Sequence, residues 1–178
     1  CVDSTASALA AKRGGADRLE LCADLIIGGT TPSIALLRQV KAETGLPVRA
    51  LLRPRFGDFC YDRWELAQME QLAAELVEAG ANGIVTGALT PDGELDADAL
   101  RPIYAAAQQA ARAAGRPVAL TLHRAFDVCS NPFRALEAAR ELGLCTILTS
   151  GQAASAPAGA ALLRQLVERA GDGMEILV

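Results

Sequence analysis

The amino-acid sequence predicts an α/β fold, a (β/α)8 barrel of the TIM type. A helix-length, alanine-rich segment, a glycine and a short apolar strand follow one another six times along the chain. Successive strands lie roughly 27 to 35 residues apart, which is the length of one strand-plus-helix unit. Polar side chains end nearly every strand, as expected where the carboxyl ends of strands meet at the mouth of a barrel.

Each predicted strand follows a glycine, because glycine adopts the left-handed conformation found just past helix C-termini. The strands lie within residues 15–22, 45–53, 80–88, 115–124, 143–151 and 171–178. Cys1 and Val2 are predicted to be the tail of a further strand. About seven of the eight strands of a barrel are therefore expected. We interpret residues 1–178 as one barrel domain that is incomplete at both ends.

Six helices are predicted from apolar residues at helical spacing and from the residues that begin them. They span residues 4–13, 32–43, 63–79, 97–114, 132–142 and 157–170. Suitable N-caps are Ser4, Asp62, Asp96 and Asn131, and proline stands in a first helical turn at Pro32, Pro132 and Pro157. This alternation of strands and helices predicts a parallel sheet covered by helices.

An open, doubly wound sheet is the alternative architecture. A dinucleotide-binding sheet carries G-x-G-x-x-G where its first strand turns into a helix. Gly14 and Gly15 close a helix here and open none. We favour the barrel because so many strands end in reactive groups.

Composition and charge narrow the classes of function. The net charge is −4, from 17 basic and 21 acidic residues without a basic run, so no nucleic-acid partner is expected. No apolar stretch reaches the ~18 residues of a membrane span, so no membrane partner is expected either. The five cysteines form no C-x-x-C pair, which favours a reducing, cytoplasmic setting.

The segment V-A-L-T-L-H-R-A-F-D, residues 118–127, turns from a buried strand into polar groups. It contains the only histidine of the chain, His123, and Arg124 and Asp127 follow. One interpretation is an acid–base group formed by Glu20, His123 and Asp127, since imidazole titrates near neutral pH and a carboxylate can orient it. The other is an interior ion-pair network that fixes strand packing. The sequence leaves both open.

Two further stretches indicate anion binding. Arg53 and Arg55 flank a proline in R-P-R-F-G-D-F, residues 53–59, and paired guanidiniums suit bidentate recognition of phosphate or carboxylate. The alternative is a salt-bridged loop. Ser150, in T-S-G-Q at residues 149–152, presents a hydroxyl at a predicted helix start, and Arg124 adds a further candidate cation.

A soft-metal site is a third hypothesis. Cys1 and Cys22 are predicted to end neighbouring strands, and two thiolates can bind Cu(I). The spacing is not a metal-binding motif, and free cysteine is commonly a buried packing residue. Both interpretations stay open on the residues alone.

Several segments together resemble the copper-homeostasis protein CutC family. They read C-V-D-S (1–4), G-G-A-D-R-L-E-L-C (14–22), G-G-T-T-P-S (28–33), R-P-R-x-G-D-F-x-Y (53–61), G-A-L-T-x-D-G-E-L-D (87–96), L-H-R-A-F-D (122–127) and L-T-S-G-Q (148–152). The resemblance implies a TIM-type barrel, a cytoplasmic setting and an association with copper, with Cys1 and Cys22 as thiol candidates. Compared with the family, the chain lacks part of the first strand, the glycine-rich turn after Val178 and the eighth strand.

Two hypotheses about function follow. The first is a copper-homeostasis protein that binds Cu(I) through Cys1 and Cys22 at the barrel mouth. The second is a barrel enzyme that acts on a small anionic substrate through His123 and Glu20, with Arg53 and Arg55 holding the anion. An interaction scaffold is a third, simpler hypothesis. The sequence leaves open whether the protein is an enzyme, what its substrate is, and whether it forms a homo-oligomer.

Overall fold

The computed structural model describes residues 1–178 and alternates six α-helices with six strands. The helices are α1 (Thr5–Arg13), α2 (Ile34–Thr44), α3 (Arg63–Glu78), α4 (Ala97–Ala113), α5 (Pro132–Glu141) and α6 (Ala160–Ala170). The strands are β1 (Leu19–Leu21), β2 (Val48–Leu51), β3 (Gly83–Thr86), β4 (Ala119–Leu122), β5 (Thr146–Leu148) and β6 (Glu175–Leu177). Short 3-10 helices lie at Leu25–Ile27, Arg124–Val128 and Gly171–Gly173.

The six strands form one parallel sheet in the order β1-β2-β3-β4-β5-β6. Val2 extends it by a single parallel bridge to Leu21, as expected for the tail of a further strand. The sheet is curved, as hydrogen bonds across its concave face show. Arg49 on β2 donates to the hydroxyls of Thr121 on β4 and Thr146 on β5. The predicted TIM-type fold is confirmed, in the form of a half-barrel of parallel strands.

Most helix starts follow from local hydrogen bonds. Ser4 and Asp62 form capping boxes with residues three positions later, and Asn131 accepts two main-chain N–H groups ahead of Pro132. Two predicted starts are wrong by two or three residues. Helix α2 is capped by Ser33 after Pro32, and α6 begins only after Gly159 because residues 151–159 form bends and turns.

The core lies between the outer face of the sheet and the helices. One cluster of 37 buried apolar residues fills this layer, and its alanines allow helices such as α3 and α4 to pack closely. Phe126 belongs to this cluster and is fully buried, which anchors the turn after β4. No helix combines the length and the apolar character needed to cross a lipid bilayer. Because the helices cover only the outer face of the sheet, the concave face and the carboxyl ends of the strands are not covered by them.

Candidate functional site

A cavity of about 370 Å³ opens at the carboxyl ends of the strands. Six predicted site residues line it: Cys1, Glu20, Arg53, His123, Arg124 and Asp127. A larger depression of about 530 Å³ lies on the outer surface of α5, but none of its lining residues is buried. We take the cavity at the strand ends as the candidate site, because it gathers buried polar groups.

His123 follows β4 and is fixed by the main chain. Its Nδ1 accepts the N–H of Ala125 at 3.2 Å, so the proton of the neutral imidazole is on Nε2. Its side chain is buried, and Nε2 has no hydrogen-bond partner in the protein. The imidazole ring packs against the Phe59 ring, with centroids 4.9 Å apart. His123 therefore has a buried, unpaired N–H donor, and the residue is one of those that line the cavity.

The environment of His123 differs from the one expected for an acid–base group oriented by Asp127. Burial and the nearby charge of Arg53 lower the pKa of His123 to about 3. Both effects favour the neutral imidazole near neutral pH. Asp127 does not orient it, because the ring's hydrogen bond goes to Ala125 instead. The residue is better suited to donating a hydrogen bond than to acid–base catalysis.

Arg53 follows β2 and is buried, with 7% of its surface exposed. Its guanidinium donates to two main-chain carbonyls, those of Gly29 at 3.2 Å and Gly57 at 2.9 Å, and lies over the Phe59 ring. Its Nε has no partner, and the side chain forms no ion pair. A buried cation without a carboxylate is unusual, because an uncompensated buried charge is costly.

Arg55 does not share this environment, which corrects the prediction that both arginines face one anion. Its guanidinium pairs with Glu65 and with Asp58 and also donates to main-chain carbonyls of the same loop. These contacts raise the pKa of Arg55, chiefly through the hydrogen bond to Glu65. The salt-bridged loop that the sequence left open as an alternative describes Arg55, whereas Arg53 faces the cavity.

Asp127 joins the turn after β4 to the loop after β5. Its carboxylate accepts the Thr149 hydroxyl, the main-chain N–H groups of Ser150 and Gln152, and the Arg124 guanidinium at 2.7 Å. Burial alone would raise the pKa of Asp127, but these hydrogen bonds outweigh it and lower the pKa. The carboxylate therefore pairs with Arg124 at the cavity wall and not with His123, as the acid–base interpretation expected.

Ser150 forms a hydrogen bond with the same arginine, Arg124. Its hydroxyl accepts from Arg124 at 2.7 Å and donates to the carbonyl of Ala153 at 2.6 Å. The hydroxyl is thus occupied and does not line the cavity, contrary to the predicted direct contact with an anion. Arg124 itself is more than half exposed at the cavity wall, where its charge is held by Asp127 and Ser150.

Glu20, on β1, points into the concave face with Cys1 beside it. The Cys1 thiol donates to the Glu20 carboxylate at 3.4 Å, and Glu20 forms no ion pair. Burial raises the pKa of Glu20, although the charges of the N-terminal amino group, Arg49 and Arg18 oppose the shift. Arg18 pairs with Glu175. A carboxyl group whose pKa is raised is suited to proton exchange nearer neutral pH.

The thiols do not form an evident Cu(I) site. Cys22 is buried and donates to the carbonyl of Val2, and burial raises its pKa to about 11, so the thiol is protonated. The side chains contain no group of three or more histidines, cysteines, aspartates or glutamates that could hold a metal ion. This donor set does not fit a dedicated soft-metal centre, which requires clustered thiolates or thioethers.

The apolar walls and the floor of the site were not among the predicted residues. Leu51, Phe59, Val128 and Leu148 line the cavity, and Arg49 lies deeper on the concave face. Strand alternation was the available signal for part of this set, because Arg49, Leu51 and Arg53 occupy every second position from β2 onward. Phe59 and Val128 come from loops and gave no such signal.

Comparison with known proteins agrees with the fold and the motifs. The sequence profile of the CutC family matches residues 1–178. A CutC family protein from Salmonella enteritidis is 43% identical over 177 residues, which cover 99% of this chain and 68% of that protein. A relative from Salmonella typhi is 44% identical over 167 residues, which cover 94% of this chain and 61% of that protein.

Solved structures show the same barrel. The crystal structure of CutC from Streptococcus agalactiae, which is provisionally named for copper homeostasis, superimposes with a TM-score of 0.89 at 29% identity. The match covers 99% of this chain and 83% of that one. A 2,3-dimethylmalate lyase superimposes with a TM-score of 0.66 at 19% identity, covering 99% of this chain and 64% of that one, which is a likeness of fold alone.

Proposed function

This chain belongs to the CutC family, and from that premise we propose that its barrel mouth binds a small organic anion. The observation that carries the proposal is Arg53, a buried guanidinium without a carboxylate partner beside the cavity. His123 lines the same cavity, and its buried Nε2–H has no hydrogen-bond partner in the protein. An anion bound there would neutralise the charge of Arg53 and accept a hydrogen bond from His123. Both contacts would lower the free-energy cost of burying these two groups.

The same site supports a barrel enzyme, with the roles divided differently from the sequence prediction. Glu20 would exchange the proton, because its pKa is raised, and His123 would donate a hydrogen bond to the substrate. All five cysteines are free thiols, which suits the reducing cytoplasm in which we place this function.

Replacing Arg53 with methionine tests the anion site. We expect the affinity for a small carboxylate such as pyruvate to fall about 100-fold, since a hydrogen-bonded charge contributes about 1.5–3 kcal/mol. Isothermal titration calorimetry measures the change.

The matched control is Arg55→Met, because that guanidinium is already paired with Glu65 and Asp58. It should leave the affinity for pyruvate unchanged while weakening the loop. Equal affinities in Arg53→Met and the unmodified protein would refute the proposed anion site.

Copper binding is the second candidate function. It is favoured by the copper-homeostasis name of the Streptococcus agalactiae relative and by the pairing of Val2 with Leu21, which brings the strand segments of Cys1 and Cys22 side by side. Cu(I) would be cargo here, and it would have to displace the proton of the Cys22 thiol, whose pKa is about 11.

Competition with a chromophoric Cu(I) chelator under anaerobic, reducing conditions distinguishes the two candidates. If these thiols carry copper, the protein binds one Cu(I) tightly, the affinity rises with pH, and the Cys1→Ser/Cys22→Ser variant loses it. Cys60→Ser is the matched control, since Cys60 is an exposed thiol outside the cavity. Weak binding of the same strength in all three proteins would rule out the thiol site.

A further inference from the structure

His123 is a preorganised donor with one unpaired nitrogen, the buried Nε2. Its Nδ1 is occupied by the Ala125 N–H, and its ring lies close to Gly87 on the neighbouring chain segment. A Cβ at position 87 would come within 2.9 Å of Nδ1, so the glycine leaves the space that the ring occupies. Because the ring cannot turn without losing the Ala125 contact, Nε2–H keeps one direction before any ligand arrives.

Two chemically different donor groups pack against the Phe59 ring. The Arg53 Cζ atom and the His123 ring centroid each lie 4.9 Å from the centre of the Phe59 ring. A guanidinium is a cation and prefers a carboxylate or phosphate oxygen. A neutral imidazole N–H carries no charge, so it suits an uncharged oxygen, or one on which negative charge develops during a reaction.

The remaining walls limit what such a ligand can be. Leu51, Phe59, Val128 and Leu148 make one part of the cavity apolar, and the volume of about 370 Å³ is near the lower end for small-molecule sites. A compact ligand with a short apolar group would fill it. A large or multiply charged ligand would leave apolar walls against its charges.

We infer that the mouth selects small 2-oxo acids, in which Arg53 holds the carboxylate and the Nε2–H of His123 donates to the neighbouring carbonyl oxygen. This inference rests on the proposed anion-binding function. It makes His123 a specificity-determining residue, because an acid without the 2-oxo oxygen leaves the buried N–H donor of His123 unpaired.

Pyruvate and propionate test the inference, since they are close in size and differ in the 2-oxo group. We expect the unmodified protein to bind pyruvate about tenfold more tightly than propionate in calorimetric titrations, the effect of one unpaired buried donor. His123→Leu should reduce this ratio to about one, whereas His123→Gln, which keeps a neutral N–H donor, should retain part of it. A ratio that survives in His123→Leu would overturn the inference.

Nuclear magnetic resonance tests the donor in the unmodified protein. Because His123 is the only histidine, a long-range ¹H–¹⁵N spectrum contains a single imidazole. We expect a neutral ring protonated on Nε2 from pH 8 to about pH 5, since its pKa is about 3, and a shift of Nε2 when pyruvate is added. A titration near the unperturbed value of about 6.5 would overturn the fixed neutral donor.

The outcomes separate the inference from the function on which it rests. If pyruvate and propionate bind equally and Arg53→Met weakens both, anion binding stands and the selection of 2-oxo acids is overturned. If neither acid binds, the proposed anion-binding function fails and the inference fails with it. If pyruvate is preferred and only the resonances of Nε2 and its neighbours shift, the anion-binding function and the selection of 2-oxo acids are both supported.

Discussion

Replacing Asp127 with alanine is expected to lower the free energy of unfolding by about 3–5 kcal/mol, the cost of breaking a buried charged network. The carboxylate, with 8% of its side chain exposed, accepts from Thr149, from two main-chain N–H groups and from Arg124. Alanine leaves these donors without an acceptor and separates the turn after β4 from the loop after β5. Urea unfolding followed by circular dichroism measures the loss.

The control for this prediction is Asp98→Ala. Asp98 is fully exposed on α4, and its contact with Arg101 is long, at 3.9 Å, so its removal should change stability by no more than about 0.5 kcal/mol. Equal unfolding midpoints for the two variants would contradict the role of Asp127. Because the folded-state pKa of Asp127 is lowered, its contribution is complete above the unfolded value of about 3.9 and is lost as the pH falls through the folded value.

The fold could be predicted because its signals are local and repeated. Glycines at helix ends, side-chain caps such as Asp62 and Asn131, and the constant unit length each follow from a few neighbouring residues. The predicted helix bounds are accordingly correct to within three residues. The same regularity identified most of the cavity, because parallel strands that end in polar residues bring them to one face.

The partners of those polar residues could not be predicted in the same way. His123 and Asp127 are four residues apart, but the 3-10 helix Arg124–Val128 directs Asp127 towards the amides after β5, and His123 towards its own turn. Arg53 and Arg55 are two residues apart, yet Arg55 lies beyond the strand and meets Glu65 of α3. The contacts of Asp127 and Arg55 depend on other elements of the fold, and spacing alone does not show whether a side chain binds such an element or, like His123, its own turn.

Gly159 is expected to contribute as much to the free energy of unfolding as the carboxylate of Asp127, although glycine has no side chain. The structure leaves no space for a Cβ at Gly159, because that atom would overlap the carbonyl oxygen of Ser150 and lie 2.9 Å from the Cα of Gly151. This close approach closes residues 151–159 into a compact loop. The main-chain N–H of Ser150, just before the loop, and that of Gln152, within it, donate to Asp127. The effect is steric, since φ of Gly159 is −89° and any residue could adopt it.

Gly159→Ala should therefore open this loop and lower the free energy of unfolding by about 3 kcal/mol, at the upper end for overpacking. Gly173→Ala is the matched control, because nothing lies within 4 Å of a Cβ there, and it should stay within about 0.5 kcal/mol. If the loop supports Arg124 through Asp127, Gly159→Ala must also weaken pyruvate binding, and combining it with Asp127→Ala must cost less than the sum of the two. Additive losses would mean that the backbone contact and the carboxylate stabilise separate parts of the barrel.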